Sequence, residues 1–256
     1  MTDPITLLAG DHDITRILYH DLDATYGVDR VILEEPVDRT TFLQRRIDRL
    51  GWTTVAGQVA FRLGAMPLLA GLADSRIQAI IERAGMDPSP IPEADLVEVD
   101  SANDVETAQA LCYSEPEVVV ISGTRIIDAA ILNTVPAPFL NMHTGITPMY
   151  RGVHGGYWAL AEGEPEACGV TIHKVDPGID TGGIVDRATV DVTERDNFAT
   201  YPYLQFEAGL PLLREAVGEA IDGGLETVDE PDGASELWSH PTIWEYAYNR
   251  IVDGVR

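Results

Sequence analysis

Short apolar runs alternate with segments of helical periodicity through the first half of the chain. The run Val118-Val119-Val120-Ile121 is β-branched throughout and stops at Gly123, which is typical of a strand buried on both faces of a parallel sheet. Amphipathic stretches between the runs supply crossover helices. The pattern predicts an α/β fold with an open, doubly wound, mostly parallel sheet of Rossmann-like type. The candidate strands in this half lie at 5–8, 31–33, 96–99, 117–122 and 139–143.

The second half of the chain changes character and sets the domain boundaries. Segments 169–175 and 183–190 are predicted to be strands around a tight loop, as in an antiparallel pair. We expect residues 1–225 to form one catalytic domain, in which residues 38–87 are a helical insertion. Residues 226–256 are expected to be a C-terminal extension that packs on this domain.

Polar residues before the apolar-periodic segments indicate where helices begin. Asp13 is predicted to cap the first helix, and Asn103 and Glu106 have the spacing of a capping box. The same spacing recurs at Thr242 and Glu245, near the end of the chain.

Candidate catalytic residues lie beyond the carboxyl ends of the predicted strands, where ligands bind in open α/β sheets. Asn141 and His143 are two residues apart, so both side chains project from one face of a strand. The turn DPGIDTGG, residues 176–183, places Asp180 in a tight, glycine-rich backbone. An amide, an imidazole and a carboxylate suit acyl transfer to an amine. The same residue types are also common structural groups at strand ends and turns, so the residues alone leave both interpretations open.

The charge balance excludes some partners. With 17 basic and 42 acidic residues the net charge is −25, and Lys174 is the single lysine. Nucleic acid and anionic membrane surfaces are bound mainly by positive charge, so we expect neither as a partner of the chain as a whole. An acidic, lysine-poor surface resembles that of halophilic cytoplasmic proteins, in which concentrated salt screens self-repulsion. An acidic protein that works at ordinary salt is the alternative.

One basic cluster interrupts this acidic chain. Two interpretations are open: a site for an anionic substrate such as a nucleotide-linked amino sugar, or arginines that pair with surface carboxylates elsewhere. Only Asp48 is acidic within the segment. The cluster, called the arginine island below, consists of Arg39, Arg45, Arg46, Arg49 and Arg62.

Several absences favour a soluble cytoplasmic protein. The N-terminus has no basic region of a signal peptide, and no apolar stretch is expected to reach the ~18 residues of a membrane span. Cys112 and Cys168 are interpreted as buried free thiols. The six histidines show no metal-ligand spacing, so no metal is expected. An aromatic tail at 238–248 is interpreted as core or homodimer packing.

Residues 139–185 carry a more specific signal. The stretch FLNMHTGITPMYRGVHGGYWALAEGEPEACGVTIHKVDPGIDTGGIV resembles the core of the folate-dependent formyltransferases, a family that includes methionyl-tRNA, glycinamide ribonucleotide and sugar-amine formyltransferases. The family pattern is Asn-x-His, Pro-x-x-Arg-Gly, Gly-Val-Thr and an Asp-Thr-Gly turn. The matching residues are Asn141, His143, Pro148, Arg151, Gly152, Gly169, Val170, Thr171, Asp180 and Gly182.

The resemblance implies transfer of a formyl group from formyl-tetrahydrofolate to a substrate amine. By this analogy Asn141 and His143 stabilise the tetrahedral oxyanion, while Asp180 orients or ionises His143 and helps to remove the amine proton. The segment SGTRIIDAAIL resembles a loop that holds the pterin through backbone groups, and the turn 175–180 would line the same pocket. The implied cofactor-binding residues are Arg125, Ile126, Ile127, Val175, Asp176 and Gly178, and the implied substrate-binding residues are Tyr150, Arg151 and Gly152.

Two departures from the family bear on the substrate. Glycinamide ribonucleotide enzymes carry a phosphate-binding loop after the first strand, where this chain has Asp11 and Asp13, which would repel phosphate. The tRNA enzymes have a C-terminal barrel, whereas only about 70 residues, with an acidic composition, follow Asp186 here. We therefore expect a small-molecule amine as the acceptor. The alternatives are a formyl-tetrahydrofolate hydrolase, a phosphoribosylglycinamide formyltransferase, or a non-catalytic folate- or nucleotide-binding protein.

Overall fold

A computed structural model describes residues 4–231 and 233–256 of the chain. The strands are β1 (Ile5–Gly10), β2 (Val28–Glu34), β3 (Leu96–Val99), β4 (Val118–Ser122), β5 (Phe139–His143), β6 (Arg151–Gly152), β7 (Gly169–Lys174), β8 (Ile184–Thr189) and β9 (Leu237–Trp238). The helices are α1 (Asp13–Tyr26), α2 (Arg39–Leu50), α3 (Trp52–Ala60), α4 (Met66–Ala84), α5 (Val105–Ser114), α6 (Ala129–Leu132), α7 (Gly155–Ala161), α8 (Tyr201–Ile221) and α9 (Ile243–Ile251).

Seven strands form one sheet in the order β3-β2-β1-β4-β5-β7-β8. The first five of these in chain order, β1 to β5, are parallel, and β7 and β8 continue the sheet antiparallel. Every residue of β1 and β4 is buried, as both faces of a parallel sheet require. The predicted doubly wound fold is confirmed, and so is the antiparallel pair in the second half.

Two hydrophobic clusters cover the two faces of the sheet. Leu7 of β1 packs into a cluster with Ile17 of α1 and Leu213 of α8. The next residue, Leu8, points to the opposite face and packs with Leu111 of α5 and with the region of α6. Alternation along one strand therefore feeds two layers of helices.

The helix starts agree only partly with the predicted caps. Thr242 and Glu245 form the predicted capping box at the start of α9. Asp13 is the first residue of α1 and caps nothing, because His12 occupies the N-cap. Asn103 does not cap α5 either. Its side chain instead bonds to the Ile126 carbonyl at 2.8 Å and the Asp128 amide at 2.7 Å, so it holds the loop that follows β4.

Helices α2, α3 and α4 occupy most of the predicted insertion, and a π-helical turn (Phe61–Ala65) joins α3 to α4. A third hydrophobic cluster holds one side of them on the domain through Phe61, Leu69 and Ala73, which pack with aromatic residues of α7, α8 and α9. Arg76 of α4 bonds to the buried Asp196 at 2.8 Å. The domain boundaries drawn from the sequence stay a prediction.

The continuous helix from Trp52 to Ala84 corrects one expectation. By length and composition alone it could cross a membrane, since an 18-residue window has a mean hydropathy of 1.4. Only 28% of that window is buried inside the molecule. The thiols also differ in part from expectation: both are free, but Cys168 is buried and Cys112 is exposed.

Candidate active site

A cavity of about 360 Å³ lies beyond the carboxyl ends of β4 and β5. Three segments close it: the loop after β4, the end of β5 with the facing part of β7, and the turn that follows β7. The predicted catalytic residues and all of the predicted cofactor-binding residues line this one cavity. They are Asn141, His143 and Asp180, with Arg125, Ile126, Ile127, Val175, Asp176 and Gly178.

The carboxylate of Asp180 is held against the ring of His143. Asp180 Oδ2 lies 3.5 Å from His143 Nδ1 and accepts a hydrogen bond of 2.8 Å from the Gly152 amide. The other ring nitrogen, Nε2, lies 2.7 Å from the carbonyl oxygen of Tyr150. Because a carbonyl oxygen only accepts, Nε2 carries a proton and Nδ1 is the nitrogen that faces Asp180.

His173 also belongs to this group, and the sequence did not single it out. The antiparallel register sets Asn141 of β5 opposite His173 of β7. Asn141 Nδ2 lies 3.1 Å from His173 Nε2, and His173 Nδ1 lies 2.8 Å from the Lys174 carbonyl. Nδ1 therefore donates to that carbonyl and Nε2 accepts from the Asn141 amide, which fixes the direction of the amide. Asp180 Oδ1 is 3.6 Å from the same Nε2.

Burial and hydrogen bonding move the two principal pKa values of the site. Burial lowers the pKa of His143 below its usual 6.5, and the nearby Asp180 and the Tyr150 carbonyl oppose this only in part. Burial would raise the pKa of Asp180, but contacts with the protonated forms of His173 and His143, together with the hydrogen bond from the Gly152 amide, outweigh this and lower the pKa to about 2. The Gly152 amide does not titrate, so it keeps Asp180 ionised beside a neutral His143 at neutral pH.

The buried carboxylate of Glu34 holds the loop after β4 in place. Glu34, at the end of β2, accepts from the Arg125 amide at 2.7 Å and from Arg125 Nε at 2.6 Å. Glu34 also accepts from the Ala102 amide at 3.0 Å. Among the described residues, no partner bonds the amides of Ile126 and Ile127, so both remain for a ligand in the cavity. The sequence did not single out Glu34, although a charged residue at the end of an apolar strand was a visible signal.

The turn after β7 is fixed by its own side chains. Asp176 accepts from Thr181 Oγ1 at 2.7 Å and from the Gly178 amide at 3.0 Å. Arg151 donates from Nη1 to the carbonyl of Ile179 at 3.0 Å. These bonds hold the backbone that carries Asp180, whose φ of 50° is rare for a residue other than glycine.

The three predicted substrate-binding residues are placed differently from one another. Gly152 lines the cavity, and its φ of 94° together with the carbonyl of Trp238 leaves no room for a side chain. Arg151 supports the Asp180 turn and is not among the residues lining the cavity. The Tyr150 side chain points elsewhere: its hydroxyl donates to Glu164 at 2.7 Å and it lines a second cavity of about 900 Å³.

The arginine island lies on α2 and the π turn, and the structure does not show it paired with carboxylates. In residues 4–231 and 233–256, none of its five side chains forms an ion pair. Arg46 donates instead to the Gln58 side chain at 2.6 Å. Burial, followed by the charges of Arg49 and Arg62, lowers the pKa of Arg46. The interpretation that surface acids neutralise the island therefore finds no support.

Comparisons with known proteins point in one direction. A family model described as "Formyl transferase" matches residues 37–205. The methionyl-tRNA formyltransferase of Anaeromyxobacter dehalogenans is 29% identical over 168 residues, which are 63% of this chain and 54% of the relative. That of Chlorobium chlorochromatii is 30% identical over 122 residues, 45% of this chain and 38% of the relative. The chain spans about half the length of the curated relatives it matches.

Solved structures show the same fold. Glycinamide ribonucleotide transformylase 1 from Symbiobacterium toebii superposes with a TM-score of 0.56 at 20% identity, covering 90% of this chain and 92% of that one. A sugar N-formyltransferase from Shewanella superposes with a TM-score of 0.54 at 15% identity, covering 91% and 76%. The resemblance drawn from the Asn141-x-His143 segment is confirmed. Because the family model matches more than half of its length, the chain belongs to the formyl transferase family.

Proposed function

We propose that the protein transfers a formyl group from formyl-tetrahydrofolate to the amine of a small molecule. One observation carries the proposal: Asn141, His143 and Asp180 converge at the cavity that the loop after β4 and the turn 175–180 also line. Asn141 and His143 come from one strand and Asp180 from a turn 37 residues later, and the fold brings them to within 3.1 to 3.6 Å of one another or of a shared neighbour, His173.

The cavity suits the pterin of a folate. Ile121, Ile127 and Val175 supply apolar walls for a flat ring. The amides of Ile126 and Ile127 supply donors for its polar edge. When bound, the folate supplies the formyl group. The residues that would hold it are the predicted set in the loop after β4 and the turn after β7.

Asn141 would stabilise the negative charge that develops on the formyl oxygen during attack. His143 could join Asn141 only after Nδ1 has taken a proton, because its Nε2–H is bonded to the Tyr150 carbonyl. One hydrogen of the Asn141 amide is committed to His173, which leaves the second hydrogen for the formyl oxygen. His173 is a positioning residue in this scheme, because its Nε2 holds the amide nitrogen rather than the amide oxygen toward it.

Proton removal would proceed through His143 and Asp180. Neutral His143 presents an unprotonated Nδ1, which can take the proton of the attacking amine. The imidazolium so formed lies 3.5 Å from the ionised Asp180 and is stabilised by it. As the new carbon–nitrogen bond forms, the bond to the folate nitrogen breaks and that nitrogen receives the proton.

The charge supports a small acceptor rather than tRNA. Residues 39–73 hold five arginines and one aspartate, a net +4, so the rest of the chain carries −25 − 4 = −29. Outside residues 39–73, a surface of that sign repels a polyphosphate backbone. Asp11 and Asp13 follow β1, where a phosphate group would also meet like charge.

The test is incubation of the protein with formyl-tetrahydrofolate in concentrated KCl, with and without a panel of amines. Asp180→Asn and His143→Ala should each lower amine-dependent release of tetrahydrofolate by at least about a hundredfold. The exposed Asp222→Asn is the matched control and should keep wild-type turnover. Release without any amine would instead indicate a hydrolase, and folate binding without turnover a binding protein. Near-normal activity of Asp180→Asn would contradict the mechanism.

A further inference from the structure

Helix α2 leaves an apolar face without a partner. None of its twelve residues is buried. Phe42, Leu43 and Ile47 are all exposed, and their spacing places them on one side of the helix. Arg46 lies four residues after Phe42 and Arg49 seven, so these arginines border the apolar side chains, and the Arg46 guanidinium carbon lies 5.4 Å from the centroid of the Phe42 ring. An isolated helix of this length is marginal in water, so its apolar side needs a surface to pack on.

The neighbouring helix carries a second apolar stripe, which runs from α3 through the π turn into α4. Its exposed residues follow one another at steps of four, three, four, five and four residues. The step of five crosses the π turn, which has more residues per turn than an α-helix and so keeps the stripe on one side. Trp52 is 71% exposed, Leu63 75% and Leu72 73%. The stripe consists of Trp52, Ala56, Val59, Leu63, Leu68 and Leu72.

The two apolar surfaces together are called the insertion face below. The stripe alone runs over 21 residues, from 52 to 72, or about 30 Å of helix. The opposite side of the same helix is packed on the domain through Phe61, Leu69 and Ala73, and Arg76 is bonded to Asp196. With one side fixed in this way, the helix lies along the surface of the molecule and does not cross a bilayer.

Charge distinguishes between the occupants that could cover the insertion face. Residues 39–73 carry +4, and the five arginines form no ion pairs among the described residues. A second copy packed face to face by a twofold axis would bring this uncompensated positive charge against itself. A surface that is both apolar and negatively charged would satisfy both features at once.

We infer that the insertion face binds the surface of an anionic lipid bilayer. The apolar side chains would enter the boundary between headgroups and acyl chains, while the arginines contact lipid phosphates. Trp52, at one end of the stripe, has the amphipathic ring that favours this depth. The arginine island would thereby serve a membrane surface, and the inference does not depend on the identity of the formyl acceptor.

The first experiment is co-sedimentation with vesicles of equal parts dioleoylphosphatidylglycerol and dioleoylphosphatidylcholine, and with vesicles of dioleoylphosphatidylcholine alone. At about 1 M KCl, where charge is screened within about 3 Å, wild-type binding should persist because it rests on apolar burial. At the lowest salt at which circular dichroism shows the folded protein, the anionic vesicles should bind more tightly. The Trp52 emission should shift to the blue on binding, and the shift should persist in Trp244→Phe and disappear in Trp52→Phe.

Paired variants separate the contribution of apolar burial to vesicle binding from the contribution of the arginine charges. Leu63→Gln combined with Leu72→Gln should weaken binding to both vesicles at least about tenfold, whereas Val105→Gln combined with Ile251→Gln, at equally exposed sites elsewhere, should not. Arg45→Gln combined with Arg49→Gln should lower the preference for anionic vesicles by about fivefold per arginine at low salt. The control is Arg195→Gln, which removes one positive charge at an exposed site outside the insertion face.

Two outcomes would overturn the inference. One is a wild-type protein that stays in the supernatant with anionic vesicles at both salt concentrations. The other is a wild-type dimer in sedimentation velocity that Leu63→Gln combined with Leu72→Gln converts to a monomer, because the face would then belong to a second copy.

Discussion

His154 and His240 form a partly buried pair of rings that takes no part in the proposed chemistry. Nε2 of His154 lies 2.8 Å from Nδ1 of His240. Burial, followed by the charges of Arg46 and Arg62, lowers the pKa of His240 to about 4. Burial, followed by the charge of His240, lowers the pKa of His154 to about 3. Both rings are therefore neutral in the folded protein at pH 7 and share one proton between the facing nitrogens.

This pair should make stability depend on pH. The pKa of His240 is depressed from 6.5 to about 4 by folding, so its contribution is complete above pH 6.5 and is lost as the pH falls toward 4. Between pH 7 and pH 5 the unfolded state gains the proton first, and the wild-type free energy of unfolding should fall by about 2 kcal/mol more than that of His240→Gln. Denaturant unfolding at both pH values measures this. His12→Gln, an exposed residue outside the pair, should behave as the wild type; equal pH dependence in His240→Gln would refute the assignment.

Residue-level features of the candidate site were predictable where they are local in sequence. Asn141 and His143 share a strand face because side chains alternate along a strand, and the glycines around Asp180 predict the turn in which it lies. His173 and Glu34 were not predictable in the same way. His173 reaches Asn141 only through the register of β5 on β7, and Glu34 reaches Arg125 from another strand. Both contacts join segments distant in the chain, which a single sequence does not pair.

At the level of elements, the sheet followed from the alternation of apolar runs, but the packing of the helices did not. The buried run of β4 predicts a parallel central strand because every residue in it must face apolar neighbours. Residues 38–87 were predicted to be helical, yet nothing in the sequence showed which side would be left uncovered. Asn103 shows a similar limit: its spacing from Glu106 favoured a cap, whereas tertiary structure uses its side chain to bind the loop before α6.

The attachment of α4 should depend on one buried ion pair. The Asp196 side chain is fully buried, and its bond to Arg76, together with bonds from Thr193, lowers its pKa although burial opposes this. Arg76→Met leaves that carboxylate buried without its partner and should cost about 3 kcal/mol of unfolding free energy. The control is the exposed ion pair between Arg83 of α4 and Glu207 of α8, and Arg83→Met should cost less than about 1 kcal/mol of unfolding free energy. Similar losses for the two variants, in urea unfolding curves, would show that burial of Asp196 does not matter.

At the scale of the whole molecule, the net charge of −25 is distributed unevenly. Among the described residues, the insertion holds five of the ten arginines that form no ion pair, and the rest of the chain is strongly acidic. Self-repulsion among those carboxylates opposes folding and weakens as salt shortens the screening length. From this composition we predict that the protein is more stable in concentrated salt.

Stability should therefore rise with salt. Between about 0.3 M and 3 M KCl we expect the free energy of unfolding to increase by about 2 kcal/mol or more, because screening removes repulsion present only in the compact state. Thermal unfolding followed by circular dichroism at several KCl concentrations measures the trend. A flat or falling curve would contradict this account of the charge and would remove the halophilic interpretation.

Gln58 connects the insertion to the rim of the cavity. The Gln58 side chain accepts a hydrogen bond from Arg46 and donates one to the carbonyl of His240. The His240 ring contacts the ring of His154. His154 directly follows Val153, which lines the cavity. When α3 shifts relative to the sheet, either these hydrogen bonds break or the wall moves with the helix. A displacement of α3 would therefore strain this chain of hydrogen bonds, which ends at the loop in the cavity wall.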